Sequence, residues 1–187
     1  MQVQITDKNK QMIVEKAISV LEKGGIIVYP SDTVYGIAVD GTNPGALRRL
    51  DKLKHRRSDQ KYSYNFASIE MVKKFFQLSE DQEKTLEKYL PGPFTFIISP
   101  EISVRIPKDS IITEITSAYG KPTTATSANI TGKPPSGSIK TLDAKIYLAA
   151  DLIIEDPDLE PKKPSTVVDI SKVPYKILRE GELPFEG

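Results

Sequence analysis

The side chains able to grip a small polar anion fall at a few points of this sequence, each beside an apolar run. Ser31-Asp32-Thr33 comes directly after Ile26-Ile27-Val28-Tyr29 and Pro30. That short β-branched run, preceded by Gly24-Gly25, reads as a buried strand. Pro30 has no N–H with which to carry a central strand further, so the chain turns there with three small polar side chains. In an open α/β sheet ligands sit beyond strand ends, where the Thr33 hydroxyl can serve as a contact. The same residues also suit a turn that bonds only its own backbone. A second stretch, Pro122 to Gly132, alternates hydroxyls with small residues and includes Ser127 and Asn129. It is too small for an ordinary core strand and too poor in glycine for a linker. It suits close approach of a ligand to the backbone, with Ser136 and Ser138 in the loop that follows.

Phosphate binding by a glycine loop is not supported. There is no G-x-G-x-x-G, and Gly132-Lys133 lacks the upstream glycine and following Ser or Thr of a P-loop. Any bound phosphates fall to side-chain cations. Lys54 and Arg56 stand at the end of a helical pattern, in Lys54-His55-Arg56-Arg57, where cations also simply match the helix dipole on a solvated surface. Arg105 and Arg179 lie in or at the end of apolar strands, where an unpaired charge is costly. Each is either half of a buried ion pair or a two-pronged anion ligand.

Composition narrows the chemistry. The 187 residues fit a single domain, 1–187, that buries about 70% of its extended surface and needs no staple. The net charge of +1 excludes attraction of the whole protein to polyanions but not a local basic patch. With no cysteine and one histidine, His55, disulfides, thiolate metal sites and histidine-rich zinc sites are excluded, and a Ser-His-Asp triad would have to use His55. No apolar run approaches the roughly 20 residues that span a bilayer, and the N-terminus lacks signal-peptide features. The expectation is a soluble cytoplasmic protein.

These groups must be positioned by alternating strands and helices. Helices are expected from an Asp7 cap to Gly24, from Asn43-Pro44 to Lys54, from Ser68 to Phe76, from the Ser79/Gln82 capping box to Leu90, from an Asp109 cap to Gly120, and from Thr141 to Ala150. Strands are expected at 62–67, 94–98, 104–107, 151–154, 165–170 and 175–179, with an acidic, proline-rich loop over 155–164 and no second hydrophobic core. The late strands follow one another too closely for βαβ crossovers. The fold class is therefore α/β, a single domain with a twisted mixed parallel and antiparallel sheet and flanking helices.

In order along the chain stand Ser31-Asp32-Thr33-Val34-Tyr35-Gly36, Lys54-x-Arg56, Pro91-Gly92-Pro93-x-Thr95, Val104-Arg105-x-Pro107, Ser127-Ala128-Asn129-x-Thr131-Gly132, Ser165-Thr166-Val167-Val168-Asp169 and Leu178-Arg179-x-Gly181. Together they resemble the YrdC-like family of threonylcarbamoyl-AMP synthases, over about residues 16–181. The resemblance implies a concave basic groove and a reaction in which L-threonine, bicarbonate and ATP give threonylcarbamoyl-AMP and pyrophosphate. A separate threonylcarbamoyl transferase then acts on tRNA, and Mg2+ accompanies the ATP. By matching position, Thr33, Arg105, Ser127 and Ser165 hold threonine and carbamate. Lys54, Arg56, Asn129 and Arg179 hold ATP, joined by Ser136 or Ser138, and Lys54 and Arg56 serve the chemistry. Arg57, Lys61-Tyr62-Ser63 and Asn65 depart from the family pattern, Asn65 standing where a histidine is usual, and these features are closer to the YciO-type branch. Two other readings are a YciO-type paralogue acting on a different amine and a module binding double-stranded RNA or tRNA through Lys54, Arg56, Arg57 and Lys61. The RNA module would not need Thr33, Ser127, Asn129 and Arg179 together.

Overall fold

The computed structural model describes residues 1–56, 61–160 and 162–186. Among them the chain runs β1 (Gln2–Gln4), α1 (Lys10–Glu22), β2 (Ile27–Pro30), β3 (Tyr35–Ala38), α2 (Pro44–Lys54), β4 (Ser63–Asn65), α3 (Ile69–Phe75) and α4 (Glu80–Tyr89). It continues β5 (Phe94–Ser99), β6 (Ile102–Arg105), α5 (Ile111–Tyr119), β7 (Thr123–Ser127), a 3-10 turn (Ile139–Thr141), α6 (Ala144–Ala149), β8 (Leu152–Glu155), β9 (Thr166–Asp169) and β10 (Lys176–Arg179). All strands join one mixed sheet in the order β1-β8-β2-β3-β7-β4-β6-β5-β9-β10.

The helix signals work where the capping chemistry is local. The Asn43 side chain accepts from the N–H groups of Gly45 and Ala46, Ser68 accepts from Met71 N–H, and Ser79 and Gln82 close a capping box. Two expected caps move. Helix α1 starts after Asn9, not Asp7, because the Asn9 amide bridges Thr6 N–H and the Gln4 carbonyl and so ties the entering chain to β1. Helix α5 starts after Ser110, while Asp109 takes a left-handed φ of 49°. The last predicted helix divides: Ser138 caps the 3-10 turn and Asp143 caps α6.

Two strands are missed in sequence and one is undervalued. β1 is short and pairs parallel with β8 at the sheet edge. β3 forms an antiparallel hairpin with β2, Tyr29 opposite Gly36 and Pro30 opposite Tyr35, so the 31–34 turn connects adjacent strands instead of leading to a helix. β7, built from the small Thr123-Thr124-Ala125-Thr126-Ser127, is central, between β3 and β4. Its threonines are accommodated because Thr123 and Thr124 are fully buried and bond their neighbours, Thr124 Oγ1 accepting from Val39 N–H.

The single core expected from sequence is divided by the sheet into three buried clusters. Helices α1 and α5 cover one face of β2 and β8 with Ile13, Leu21, Ile112 and Ile115. Helices α2 and α6 cover the opposite face with Leu50 and Ile146. Helices α3 and α4 pack Val72 and Leu86 onto Phe94, Phe96, Val104 and Val168. Successive residues of a strand point to opposite faces. Where Phe94, Phe96 and Ile98 face those helices, Thr95 and Ile97 line a cavity, and the same holds for Val104 against Ser103 and Arg105.

Candidate functional site

The cavity has a volume of about 520 Å³. It is floored by residues of β4 to β7 and β9, with Tyr29, Tyr35 and Gly36 of the β2–β3 hairpin, walled by the 31–34 turn, and bounded further by Arg56, Asn129, Pro135, Pro164 and Arg179. Thr33, Arg56, Arg105, Ser127, Asn129, Ser165 and Arg179, far apart in sequence, therefore share one space. Its lining carries the cations Arg56, Lys61, Arg105 and Arg179 and, among the described residues, no carboxylate.

Each group is held by its surroundings. In the turn, Ser31 Oγ donates to the Val34 carbonyl and accepts from Thr33 N–H, and the Thr33 and Ser31 hydroxyls lie 3.2 Å apart. The turn is locked from outside by Lys162 N–H, which donates to the Thr33 carbonyl at 2.9 Å. The self-bonded turn and the site-forming turn are thus the same object. Gly36 is required beside it, since a Cβ there would lie 2.5 Å from Tyr29 Cζ and 2.7 Å from its hydroxyl. That hydroxyl accepts from Asn65 Nδ2 at 3.0 Å, and burial pushes the phenol above its ordinary pKa. Asn65 is fully buried behind Tyr29, outside the cavity lining.

Arg105 forms an ion pair with Asp32, Nη2 to Oδ1 at 2.8 Å, with side-chain exposures of only 14% and 10%. Burial outweighs the guanidinium and nearby N–H groups and raises the Asp32 carboxyl above the ordinary carboxylate range. Arg179 donates through Nε and Nη2 to the Ser165 carbonyl at 3.1 and 2.9 Å and through Nη2 to Ser165 Oγ at 3.2 Å. Ser165 Oγ lies 2.9 Å from Thr95 Oγ1. Ser127 Oγ donates to Asn129 Oδ1 at 2.5 Å. Arg56 donates to the Lys61 carbonyl and stacks its guanidinium 3.8 Å from the Tyr62 ring centre. Tyr62 donates in turn to Asp51. Arg57 lies outside the described residues.

Three expected contact residues stand elsewhere. Lys54, expected to hold ATP and serve the chemistry, is 4% exposed; its ammonium donates to the Ser127 and Asn129 carbonyls, both at 2.7 Å, and reaches Asn129 Oδ1 at 3.4 Å. It grips the end of β7 from behind the cavity wall, and burial together with the Arg56 charge lowers its pKa to about 8. Ser136 donates to the Thr141 carbonyl and Ser138 caps the 3-10 turn, and neither lines the cavity. His55 is the C-cap of α2, at φ 50°, and does not line the cavity, so the cavity serines have no imidazole base. Ser63, Thr95 and Ser103 line the cavity although sequence reading gave them no role. Their signal was a hydroxyl alternating with large apolar residues along a strand, whose meaning depends on which sheet face lacks a helix.

The sequence matches the Sua5/YciO/YrdC family, described as Telomere recombination, over residues 19–181. The chain belongs to this family. It is 28% identical to the threonylcarbamoyl-AMP synthase of Vibrio campbellii, an alignment covering 89% of this chain and 98% of that protein. It is 25% identical to Sua5 of Pyrococcus abyssi, crystallised in complex with L-threonine; the two structures superpose with a TM-score of 0.88 over 98% of this chain. This chain spans 58% of the Sua5 chain. The crystal structure of E. coli YciO, 21% identical, shares the fold with a TM-score of 0.83, covering 97% of this chain and 94% of that one.

Proposed function

We infer that this family member is an L-threonylcarbamoyladenylate synthase. One observation carries the inference: a single cavity gathers the hydroxyls of Thr33, Ser127 and Ser165 with Arg56, Arg105 and Arg179, and among the described residues its lining contains no carboxylate. The carboxylate of an amino acid and the phosphates of a triphosphate match that lining. The synthases of Vibrio campbellii and Pyrococcus abyssi support the same assignment.

Threonine's carboxylate pairs with Arg105, and its amine takes up the carbon of bicarbonate with loss of water. The carbamate oxygen then attacks the α-phosphorus of ATP as the bond to the bridging oxygen breaks and pyrophosphate leaves. The protein supplies little covalent chemistry, so position and charge dominate. Arg56 and Arg179 bear the triphosphate, Asn129 orients the nucleotide, and Lys54 keeps the Ser127–Asn129 corner in place from behind. Among the described residues no His, Asp or Glu cluster suits a metal. Magnesium would arrive with the triphosphate, whose phosphate oxygens supply most of its ligands. Ser136 and Ser138 affect the nucleotide only through the loop they brace.

The continuous sheet beneath all three buried clusters supports residues 1–187 acting as one unit. No helix among the described residues is long and apolar enough to cross a membrane, which accords with work in the cytoplasm, where a threonylcarbamoyl transferase would pass the product to tRNA.

The test is pyrophosphate release from ATP with threonine and bicarbonate each supplied or omitted. Release should require both and fall about 10²–10³-fold in Arg56→Ala and in Asn129→Ala, the usual effect of removing one well-placed polar group. Release indifferent to threonine overturns the assignment and favours action on another amine.

A further inference from the structure

Three tyrosines are buried among the described residues, and two of them spend their hydroxyl protons on the protein. Tyr35 donates to the Asp156 carbonyl at 3.1 Å and accepts from Asp156 N–H at 2.9 Å. Tyr62 donates to Asp51 at 2.7 Å. Tyr29 accepts from Asn65 Nδ2 and, among the described residues, has no acceptor for its own proton. A buried donor left in that state is costly, so a ligand or solvent oxygen must answer it.

Asn65 sets the polarity of this contact. Its Nδ2 also donates to the Thr124 carbonyl at 3.0 Å, and a carbonyl only accepts, so the NH2 group must lie on that side. Tyr29 Oη lies on the same side and receives a proton; it cannot give one to Nδ2 in return. Asn65 Oδ1 is buried without a partner and takes nothing from the phenol. Tyr29 and Gly36 both line the cavity, and Gly36 leaves the hydroxyl uncovered, since a Cβ there would stand 2.7 Å from Tyr29 Oη. The Arg105 guanidinium is near enough to act on the phenol electrostatically. The unspent proton therefore lies at the Arg105 end of the cavity. A carboxylate has two oxygens, and Arg105 already gives Nη2 to Asp32, so a second donor beside it completes the grip.

We propose that Tyr29 is a substrate-contacting residue whose hydroxyl donates to the amino acid's carboxylate beside Arg105, and that Asn65 is the positioning residue that keeps this proton turned to the cavity. This rests on the synthase assignment above. Asn65 itself touches no reactant; it acts through Tyr29.

The test compares the full chain with Tyr29→Phe, which removes one oxygen and keeps the ring, by calorimetric binding of L-threonine and by pyrophosphate release. Affinity for threonine should fall about tenfold and its KM rise accordingly, while the KM for ATP stays within about twofold. The chain has eight tyrosines and no tryptophan, so its near-UV absorbance reads tyrosine directly. Saturating threonine should shift that absorbance to the red in the parent and not in Tyr29→Phe. A parent that neither binds threonine nor releases pyrophosphate in its presence overturns the synthase assignment and this proposal together. A responsive parent matched by Tyr29→Phe in threonine affinity overturns the role of Tyr29 alone, as does a rise in both KM values alike, the mark of a loosened fold. Should Tyr29→Phe lack a cooperative melt, the parent's difference spectrum decides. A red shift at saturating threonine sustains the contact and a flat spectrum refutes it, because Tyr35, the other tyrosine lining the cavity, has its hydroxyl already engaged.

Discussion

Gly181 does not line the site cavity, yet it should decide how well ATP is held. A Cβ at this position would sit 2.1 Å from the Pro164 oxygen and 2.4 Å from both Ser165 C and Thr166 N. All three are backbone atoms of the segment leading into β9, so none can rotate aside, and Gly181→Ala must push the chain after β10 away from Ser165. The movement breaks Gly181 N–H to Thr166 Oγ1 at 3.1 Å and Glu182 N–H to the Pro164 carbonyl at 3.0 Å. At about 0.5–1.5 kcal/mol each, these bonds cost roughly 1–3 kcal/mol of unfolding free energy. For a chain of this size that is a fall in Tm of about 3–10 °C. The functional cost comes from Arg179, two residues earlier, whose guanidinium is aimed by the Ser165 carbonyl. Withdrawing it should raise the KM for ATP at least about tenfold, equivalent to about 1.4 kcal/mol, and leave the KM for threonine near its parental value. Thermal melting and pyrophosphate release read the two effects. A Gly181→Ala protein with parental Tm and parental KM for ATP would refute the claim that this close backbone contact aims Arg179.

Two further expectations concern stability. The folded pKa of Lys54, about 8, lies below its value in an unfolded chain, about 10.4. The unfolded state therefore binds more protons between these values, and Lys54 makes the parent gain stability as pH rises through that window. The difference in urea-unfolding free energy between parent and Lys54→Met should grow in the parent's favour from pH 7.5 to 10; a constant difference contradicts the burial of a charged ammonium. Phe96 is fully buried, stacked 5.7 Å from Phe94 and packed edge-on to Phe185 at 6.1 Å. Phe96→Ala should cost about 3–5 kcal/mol in urea unfolding while sparing the kcat of the folded protein, because Phe96 faces away from the cavity; a cost below about 1 kcal/mol would show that the α3–α4 cluster does not support the sheet.

Local signals were readable wherever residues close in sequence also satisfy one another. Asn43 beside Pro44, Ser79 with Gln82, and the apolar run of β5 need only their neighbours to be understood. Asn9 displaced Asp7 as the start of α1 because its bonds run to β1, a strand made stable only by β8 from the far end of the chain. The Lys54 ammonium is similar. Its basic neighbours suggest a wet helix end, but the carbonyls that bury it belong to residues more than seventy positions later.

By itself the sequence determined the chemistry available: hydroxyls, amides and guanidinium groups without cysteine, and with a single histidine, arranged in ordered short motifs on an α/β frame. It also determined the family, because the order of those motifs survives without any contact being known. Tertiary structure decided which groups meet. Arg105, left in sequence as either a buried ion pair or an anion ligand, is paired with Asp32 and faces the cavity at once. Ser63, Thr95 and Ser103 became part of the lining because helices α3 and α4 cover only the opposite face of their strands. The physical reason is that strand alternation sorts side chains to two faces from local geometry alone, whereas the choice of which face stays open depends on where distant helices find apolar surface to bury.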